Sequence, residues 1–563
     1  MTHRAARALS VVLMALVVVG AVLRISSYIG NPSLWLDEAA LAHNIIGRGF
    51  AGLLAPLDRQ QVAPLGFLWL EKAAVSLFGT SEYALRIVPL LASIAALPLF
   101  ALVARRLLRP VAAIFALALF TTATPLLYFA AEMKQYALDV AVVLALFALA
   151  VARGENAEGT PAPEPGESTR RATLLTVIGI IAPWLSQPSV FALGGVALYL
   201  AIPFFRARSA AERRLAARPL LPVFALWALS GGASIAHSFT SVTPATRATL
   251  THFWERGFIP VSSGIPASVH WVGSTTYDVF AWLFPPVVAI CAIVLFVLGI
   301  AALVRRSDGS ASLLLAPLAF MLLASALRLY PVSYRLLLFT TPSLLLTVGA
   351  GAEWLLNIAT SLGARRPGDA NESRRGVGGA SALASAATYA ICAALALLFV
   401  RSAMTMVEIP FYREELRPVV KYLAQHRESD DAIYVYYASA PAFQYYAGRD
   451  GIPRSSYRLG SCARDDWHRY LDEVDALRGR PRVWFVMSHP FNKAGIREDS
   501  LFLQYFATLG KEIDSASAVG AELALYDLSA ASASTTAASY VPPASGDSSS
   551  ADIGCSGAVS QGS

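Results

Sequence analysis

The chain has 563 residues, of which 56% are hydrophobic and only 15% are charged. Its mean hydropathy is +0.53. Soluble domains carry about 25% charged residues, so a soluble chain of this length could not cover its surface with polar side chains. The composition therefore excludes a soluble multidomain enzyme.

Apolar stretches long enough to cross a membrane recur along the first 400 residues. A transmembrane helix needs about 20 predominantly apolar residues. We predict about eleven spans, near 8–27, 86–104, 111–128, 134–152, 172–188, 190–205, 219–237, 279–304, 311–328, 335–358 and 379–400. The predicted fold class is an all-α polytopic membrane protein.

The net charge of +7 comes from arginines that cluster in alternate loops between the predicted spans, such as Arg105–Arg106, Arg213–Arg214 and Arg365–Arg366. Cytoplasmic loops carry such an excess of basic residues. We therefore place the protein in the cytoplasmic (inner) membrane with its N-terminus inside and its C-terminus outside. The charge needs no nucleic acid to explain it.

Two predicted outer loops, about 28–85 and 238–278, are much longer than a connection between helices requires. Long loops on a rigid scaffold commonly carry binding and catalytic residues. We expect the functional site in a transmembrane module, residues 1–400, under these loops.

The composition changes after the last predicted span, where charged residues become frequent. Predicted strands at Ala432–Tyr437, Val483–Met487 and Leu523–Tyr526 alternate with helical patterns, which is typical of a small α/β domain. We predict such an extracytoplasmic accessory domain at 401–528 and a disordered tail at 529–563. The domain is expected to carry no catalytic residue. Its charged residues are expected to be solvated and not to form a metal site, namely Asp430, Asp431, Asp465, Asp466 and His489.

Cys462 and Cys555 both lie on the predicted outer side, where a disulfide is permitted. Their spacing alone does not establish that they pair.

Adjacent carboxylates at Asp37 and Glu38 follow Trp35 just after the first span. Partial desolvation and mutual repulsion would raise a carboxyl pKa toward the range of a general base. The alternative is that both residues merely occupy the first turn of a helix over Ala39–Ile46, where the helix dipole favours acidic side chains.

Lys134 lies between Glu132 and Tyr136, at the outer end of a predicted helical hairpin. A charged residue in the bilayer costs about 2.5–3.5 kcal/mol, so it usually faces a partner or a water-filled cavity. Lys134 could neutralise an anionic ligand, or it could reach the membrane surface with Glu132 as its partner.

Arg328 and Arg335 bracket a short predicted outer turn. Arginine forks bind phosphate well, whereas the alternative is that these arginines anchor the turn at the membrane surface together with Tyr330 and Tyr334. Arg86 is ambiguous in the same way, because it could pair with Glu82.

The sequence has no Gly-rich phosphate loop, no Cys-x-x-Cys pair and no His-Glu-x-x-His motif. Nucleotide-driven transport and a Cys/His zinc site are therefore not expected.

Four segments in this order resemble the GT-C-type polyprenyl-phosphate-sugar glycosyltransferases: Trp35–Glu38, Gln61–Leu65, Phe78–Arg86 and Glu132–Ala137. That superfamily includes the protein O-mannosyltransferases and the lipid A aminoarabinose transferases. The resemblance extends over about residues 8–150 and is weaker around Tyr330–Pro342.

The resemblance implies a polyprenyl-phosphate-linked sugar donor, an active site at the outer membrane face and inversion at the anomeric carbon. It makes Asp37 the general base, with Glu38 completing the pair, and it places Lys134 where relatives usually have arginine. The residues expected to bind the donor phosphate or the substrate are Lys134, Tyr136, Arg335, Arg86, Arg328 and Gln61.

The sequence departs from the aminoarabinose transferases at Gln61-Val62-Ala63, where they have Glu-Lys-Pro. This departure argues against lipid A as acceptor and removes the clearest metal ligand, so no metal site is carried over from the resemblance and no cofactor is assigned. The acceptor is left open among protein, lipid and glycan, and the sugar among hexoses and pentoses.

Two other functions fit a polytopic protein with an outer domain. One is a transporter or flippase of lipid-linked sugars, and the other is a non-catalytic envelope assembly protein. Transporters often contain internal repeats and ionisable residues at mid-membrane depth. The absence of a convincing repeat and the clustering of charged candidates at one face favour the glycosyltransferase.

Overall fold

A computed structural model describes residues 3–151, 165–364, 386, 413–464, 466–493 and 495–530. The first part of the chain is helical. Its helices are α1 (His3–Gly30), α2 (Leu36–Gly47), α3 (Leu65–Phe78), α4 (Glu82–Leu107), α5 (Pro110–Thr122), α6 (Thr124–Tyr128), α7 (Tyr136–Val151), α8 (Pro165–Leu185), α9 (Ser189–Leu200), α10 (Ile202–Arg206), α11 (Ala210–Ala217), α12 (Leu220–Thr240), α13 (Pro244–Phe253), α14 (Ile265–Leu283), α15 (Pro286–Arg305), α16 (Ser310–Ala326) and α17 (Thr341–Ala364).

Six helices in the described part of the chain are long and apolar enough to cross a membrane: Ala6–Gly30, Glu82–Leu107, Ser189–Arg206, Leu220–Thr240, Pro286–Arg305 and Tyr334–Ile358. A seventh span forms if α5 and the segment Thr124–Ala131, which are bent by 53°, count as one. The chain is a multi-pass membrane protein, as its composition predicts.

The remaining predicted spans have different outcomes. Those at 134–152 and 311–328 correspond to the shorter apolar helices α7 and α16, and that at 172–188 overlaps α8, which ends at Leu185. The predicted span at 279–304 begins later, at Pro286, because α14 ends at Leu283 and prolines favour the start of a new helix. The predicted span at 379–400 lies outside the described residues, apart from residue 386.

The helices α15 and α17 pack with their backbones in direct contact. A Cβ added to Gly299 would lie 1.9 Å from the carbonyl oxygen of Thr347, and one added to Gly351 would lie 1.9 Å from that of Leu295. Small residues permit such close approach between membrane helices. These two glycines therefore fix how the last described span sits against its neighbour.

The C-terminal part contains a five-stranded sheet in the order β2-β1-β3-β7-β6. The strands β1 (Ala432–Val435), β2 (Tyr457–Leu459) and β3 (Val483–Ser488) are parallel, whereas β6 (Lys511–Ala518) and β7 (Ala521–Asp527) are antiparallel to their neighbours. A separate hairpin is formed by β4 (Asn492–Lys493) and β5 (Ile496–Arg497). The helices are α18 (Leu416–His426), α19 (Ala440–Arg449), α20 (Trp467–Asp475) and α21 (Glu498–Leu509).

The predicted α/β class of this region is confirmed, and each of the three predicted strands is present. Sequence patterns missed β2 and β6. The first has only three residues, and the second has one face largely exposed. Neither strand offers the apolar run that marks a buried strand.

The α/β region and the first long loop share one hydrophobic core. This core contains Leu34, Leu41 and Ile45 from the loop and Leu416 and Phe443 from the C-terminal part. The imidazole Nε2 of His43 also lies 2.9 Å from the carbonyl oxygen of Pro441. The predicted boundary at residues 400 and 401 falls among residues that the structure does not describe, and the two sides of it pack together.

Cys462 is disulfide-bonded. Cys555, the partner considered from the sequence, lies outside the described residues.

Replacing Ile45 with alanine should destabilise the packing of the first long loop against the α/β region. The Ile45 side chain is fully buried in the shared core, and truncating a buried isoleucine costs about 2–5 kcal/mol. Thermal unfolding of the purified protein in detergent, followed by limited trypsin digestion, measures the effect. Leu54→Ala is the control, since Leu54 is 46% exposed. Equal melting temperatures for the two variants would contradict a shared core.

Candidate active site

Asp37 and Glu38 lie in the first turn of α2, in a helix that starts three residues earlier than predicted. Successive residues of an α-helix point about 100° apart, so the two carboxylates face different surroundings. The Asp37 side chain is 22% exposed and that of Glu38 is 2% exposed. The pair therefore divides into an accessible carboxylate and a buried one.

Glu38 forms a bidentate ion pair with Arg86 of α4. The Nε of Arg86 donates to Oε1 of Glu38 at 2.9 Å, and Nη2 donates to Oε2 at 2.7 Å. The backbone N–H of Met133 donates to the same Oε1 at 2.7 Å. One carboxylate thus joins the first loop, α4 and the segment before α7.

Arg86 has further partners in the first loop. Its Nη1 donates to the carbonyl oxygen of Pro32 at 2.7 Å and to Oδ1 of Asn31 at 3.2 Å. The Arg86 side chain is only 1% exposed. The suggested pairing with Glu82 is wrong, because Glu82 accepts instead from Arg417 and Arg449 at 3.0 Å each.

Asp37 forms an ion pair with Arg335, whose Nη1 lies 2.7 Å from Oδ2 of Asp37. Lys134 lies beside this pair and donates from Nζ to Oε1 of Gln61 at 2.7 Å. The site therefore draws one residue each from α2, the loop after it, the segment before α7 and the 3-10 turn Tyr334–Thr340. Four of the predicted site residues, Asp37, Gln61, Lys134 and Arg335, come together here.

The electrostatics of Asp37 differ from the expectation. Burial by itself would raise the pKa of Asp37, but the positive charges of Lys134 and Arg335 outweigh burial and hold that pKa well below the usual carboxyl range. The expected upward shift is therefore wrong. Asp37 is ionised throughout the neutral range, and burial lowers the pKa of the neighbouring Lys134 ammonium.

Aromatic rings surround the Arg335 guanidinium. Its central carbon lies 5.5 Å from the ring centre of Trp254, 5.9 Å from that of Trp35 and 6.0 Å from that of Tyr136. Its buried Nε has no hydrogen-bond partner among the described residues. Aromatic faces stabilise a guanidinium without using its N–H donors, so Arg335 keeps donors for a ligand.

Glu132 is buried near Glu38, and burial together with the Glu38 charge raises the pKa of its carboxyl to about 7. The Nζ of Lys134 donates to Gln61 and not to Glu132. The Lys134 side chain is 6% exposed, so it does not extend to the surface as a snorkelling lysine would.

Arg328 lies in a different setting. Its side chain is 58% exposed, its Nη2 lies 3.8 Å from a carboxylate oxygen of Glu255, and its guanidinium lies over the Phe258 ring. Together with residues of α13 it lines an open groove of about 490 Å³, whose other charged or titratable members are Arg247, His252 and Glu255.

Two residues near the site were not identified from the sequence. Arg413 lies with its guanidinium 4.7 Å from the ring centres of both Trp35 and Tyr128. Glu71 is fully buried in α3. Burial raises the pKa of the Glu71 carboxyl, and repulsion from the nearby Glu38 charge raises it further. Glu71 could have been identified from the sequence, because it is a charged residue inside the apolar run of α3. The contact of Arg413 with Trp35 could not, because no local pattern around Arg413 indicates it.

His489 and Asp431 of the α/β region are not simply solvated charges. Nδ1 of His489 lies within hydrogen-bonding distance of Oε1 of Glu414. Asp431 is 6% exposed and accepts hydrogen bonds from Arg482 and from the indole of Trp484, both at 2.7 Å. Across the residues that the structure describes, no group of three His, Cys, Asp or Glu side chains is arranged to hold a metal ion.

Breaking the pair between Glu38 and Arg86 should unfold this end of the molecule. Removing one partner leaves an uncompensated buried charge, which typically costs about 3–5 kcal/mol, whereas replacing both with apolar residues is often nearly neutral. We expect Glu38→Leu or Arg86→Met to lower the melting temperature in detergent far more than the double variant does. A double variant as unstable as the two single effects added would contradict the assignment.

No protein-family model matches this sequence, and no curated protein matches it in sequence. Solved structures do match. The apo oligosaccharyltransferase of Archaeoglobus fulgidus superposes with a TM-score of 0.50 at 10% identity, over 84% of this chain and 69% of that one. ArnT from Cupriavidus metallidurans, bound to undecaprenyl phosphate, gives a TM-score of 0.47 at 14% identity over 91% and 97%. Both are GT-C glycosyltransferases, and the superposition on the oligosaccharyltransferase shows that this chain shares its fold.

Proposed function

We propose that the protein is a glycosyltransferase that moves a sugar from a polyprenyl-phosphate carrier to an acceptor at the outer face of the cytoplasmic membrane. The observation that supports this proposal most is the meeting of the Asp37 carboxylate with the Arg335 guanidinium at 2.7 Å, beside Lys134. A base and two cations in one place are the groups that this reaction needs.

In the proposed reaction the acceptor hydroxyl gives its proton to Asp37 as its oxygen attacks the anomeric carbon. The bond from that carbon to the carrier phosphate breaks, and the electron pair leaves with the phosphate oxygen. Attack opposite the leaving phosphate inverts the anomeric carbon. Arg335 and Lys134 stabilise the charge that develops on the phosphate, so no general acid is needed.

The ion pair suggests how donor binding would activate the base. Before the donor binds, Arg335 and Lys134 hold the pKa of Asp37 low, which makes Asp37 a weak proton acceptor. A donor phosphate would share the donors of both cations and reduce their hold on Asp37. The basicity of Asp37 would then rise only when a sugar donor is in place.

The other predicted site residues take supporting roles in this proposal. Glu38 and Arg86 are bonded to each other, so we assign them to holding the loop and not to proton transfer or phosphate binding. Gln61 orients Lys134, and Tyr136 supports the Arg335 guanidinium. Arg328 remains a proposed contact for the donor as it approaches.

The ligands of the neighbours are consistent with a lipid-phosphate donor. ArnT is bound to undecaprenyl phosphate, and an archaeal oligosaccharyltransferase, AglB, was solved with dolichol-phosphate. These ligands suggest undecaprenyl phosphate as a first probe for this chain. The topology with the C-terminal region outside is part of this proposal.

A flippase of lipid-linked sugars would also bind a polyprenyl phosphate. It would have no use for a base facing the phosphate-binding cations, whereas Asp37 pairs directly with Arg335. The reaction products separate the two functions, since a flippase leaves the bond between sugar and phosphate intact.

Asp37→Asn should abolish sugar transfer while undecaprenyl phosphate still binds. The amide cannot accept the acceptor proton, and loss of a general base typically costs about 10²–10⁴ in rate. Release of lipid phosphate from a panel of polyprenyl-phosphate hexoses and pentoses measures turnover. Asp58→Asn is the control, because Asp58 lies in the same loop with its side chain 69% exposed. Wild-type turnover by the Asp37 variant would refute the assignment.

Lys134→Ala should weaken the binding of undecaprenyl phosphate, and Lys134→Arg should retain much of the affinity, because charge matters more than shape at this position. Native mass spectrometry or thermophoresis in detergent measures both variants against Lys421→Ala, which removes an exposed lysine of α18. If both Lys134 variants bind as the wild type does, Lys134 plays no part in phosphate recognition.

A further inference from the structure

The helix that carries Asp37 has no cap of its own. Its N-cap residue is Trp35, whose side chain accepts no hydrogen bond from the first turn. The first N–H groups of a helix lack partners within the helix and are usually satisfied by a Ser, Thr, Asp or Asn side chain at the N-cap. The backbone N–H of Leu36 donates instead to Oε2 of Glu414, at 3.2 Å. The cap comes from a residue 378 positions away.

The residues just before α2 are held by the same C-terminal segment. Glu415 accepts the N–H of Ser33 at 3.0 Å and its hydroxyl at 2.9 Å. The hydroxyl of Tyr446 accepts the N–H of Leu34 at 2.7 Å. The carbonyl oxygens of Pro32 and Ser33 accept from Arg86 at 2.7 and 3.5 Å, whereas that of Asn31 accepts from Arg417 at 2.8 Å. The stretch is therefore held by both the α/β region and α4.

Glu414 is itself fixed in place. It is 6% exposed, and its second carboxylate oxygen pairs with Nδ1 of His489. The backbone of His489 has φ +56°, a strained conformation for a residue other than glycine, and its ring centre lies 6.3 Å from that of Trp35. Strain of this kind persists where the surrounding structure requires a particular geometry.

We propose that Glu414 is a positioning residue of the transferase. It caps the first turn of α2 and thereby orients the Asp37 side chain. This inference rests on the proposed function, and it gives the α/β region a part in the chemistry that sequence analysis did not expect. Glu414 touches neither donor nor acceptor. It acts through the backbone at Leu36, next to the residue that would take the proton.

Kinetics of three variants test the proposal. Glu414→Ala removes the cap and should lower kcat about 10- to 100-fold with little change in KM for the donor, since a small misplacement of a reacting group can cost about 100-fold. Glu414→Gln keeps an oxygen acceptor and should restore most of the rate. Tyr446→Phe should lower kcat in the same direction, because it removes the acceptor for Leu34.

Tyr445→Phe is the matched control. Tyr445 is the neighbouring residue, is also buried, and bonds across the same interface to the carbonyl oxygen of Thr80 at 2.8 Å, away from α2. It should leave kcat and KM unchanged. A rate loss in Tyr445→Phe equal to that in Tyr446→Phe, or no rescue in Glu414→Gln, would show that these residues only hold the region in place, and would overturn the proposal.

Hydrogen exchange separates this proposal from the proposed function. In Glu414→Ala the backbone amides of residues 33–38 should exchange about tenfold faster or more, as expected for loss of a hydrogen bond to a charged group, and Tyr445→Phe should not show this change. Unchanged exchange would refute the cap even in an active enzyme. If the wild type turns over no donor in the panel, the proposed function fails and the catalytic role of Glu414 fails with it.

Discussion

The buried ion pair between Glu38 and Arg86 is the interaction on which the arrangement of the site depends. It brings together the first loop, α4 and the backbone at Met133, just before Lys134. Burying two charges is costly unless their hydrogen bonds are complete, and here both carboxylate oxygens and several donors of Arg86 are used. Any change in this pair would therefore alter the distance between the proposed base and one of its cations.

The neighbouring carboxylate, Asp37, has the opposite character. It is paired with Arg335 yet remains partly exposed. Among the described contacts, Arg335 forms an ion pair with no carboxylate other than Asp37. Two adjacent residues of one helix turn thus separate two tasks: the buried Glu38 fixes the backbone, and the accessible Asp37 is free to release its arginine partner to a phosphate. A site that needs both rigidity and reactivity is served by this division, because each carboxylate is optimised for one task.

Local sequence patterns predicted much of this molecule. The remainder depends on contacts between residues far apart in the sequence. Apolar length indicated the spans, and strand patterns indicated the α/β region. Charge at the ends of apolar segments identified Asp37, Lys134 and Arg335. The sequence could not show that Arg86 faces Glu38 and not Glu82, because all three lie within reach at the same end of the bundle. It also gave the wrong sign for the Asp37 pKa, since that sign depends on Lys134 and on Arg335, the second of which lies 298 residues away. The cap from Glu414 was equally beyond sequence patterns, which register partners only a few residues apart.

The shared core explains why such distant contacts can be built reliably. A hydrogen bond between residues nearly 400 positions apart contributes little to folding on its own, because ordering the chain to make it costs more than one bond returns. Burial of Leu41 and Ile45 in one core with Leu416 and Phe443 supplies the larger favourable term and holds α2 on the α/β region. The polar contacts of Glu414, Glu415 and Tyr446 then need only set the final orientation. Apolar packing between the loop and the C-terminal region is thus a condition for an accurately placed Asp37.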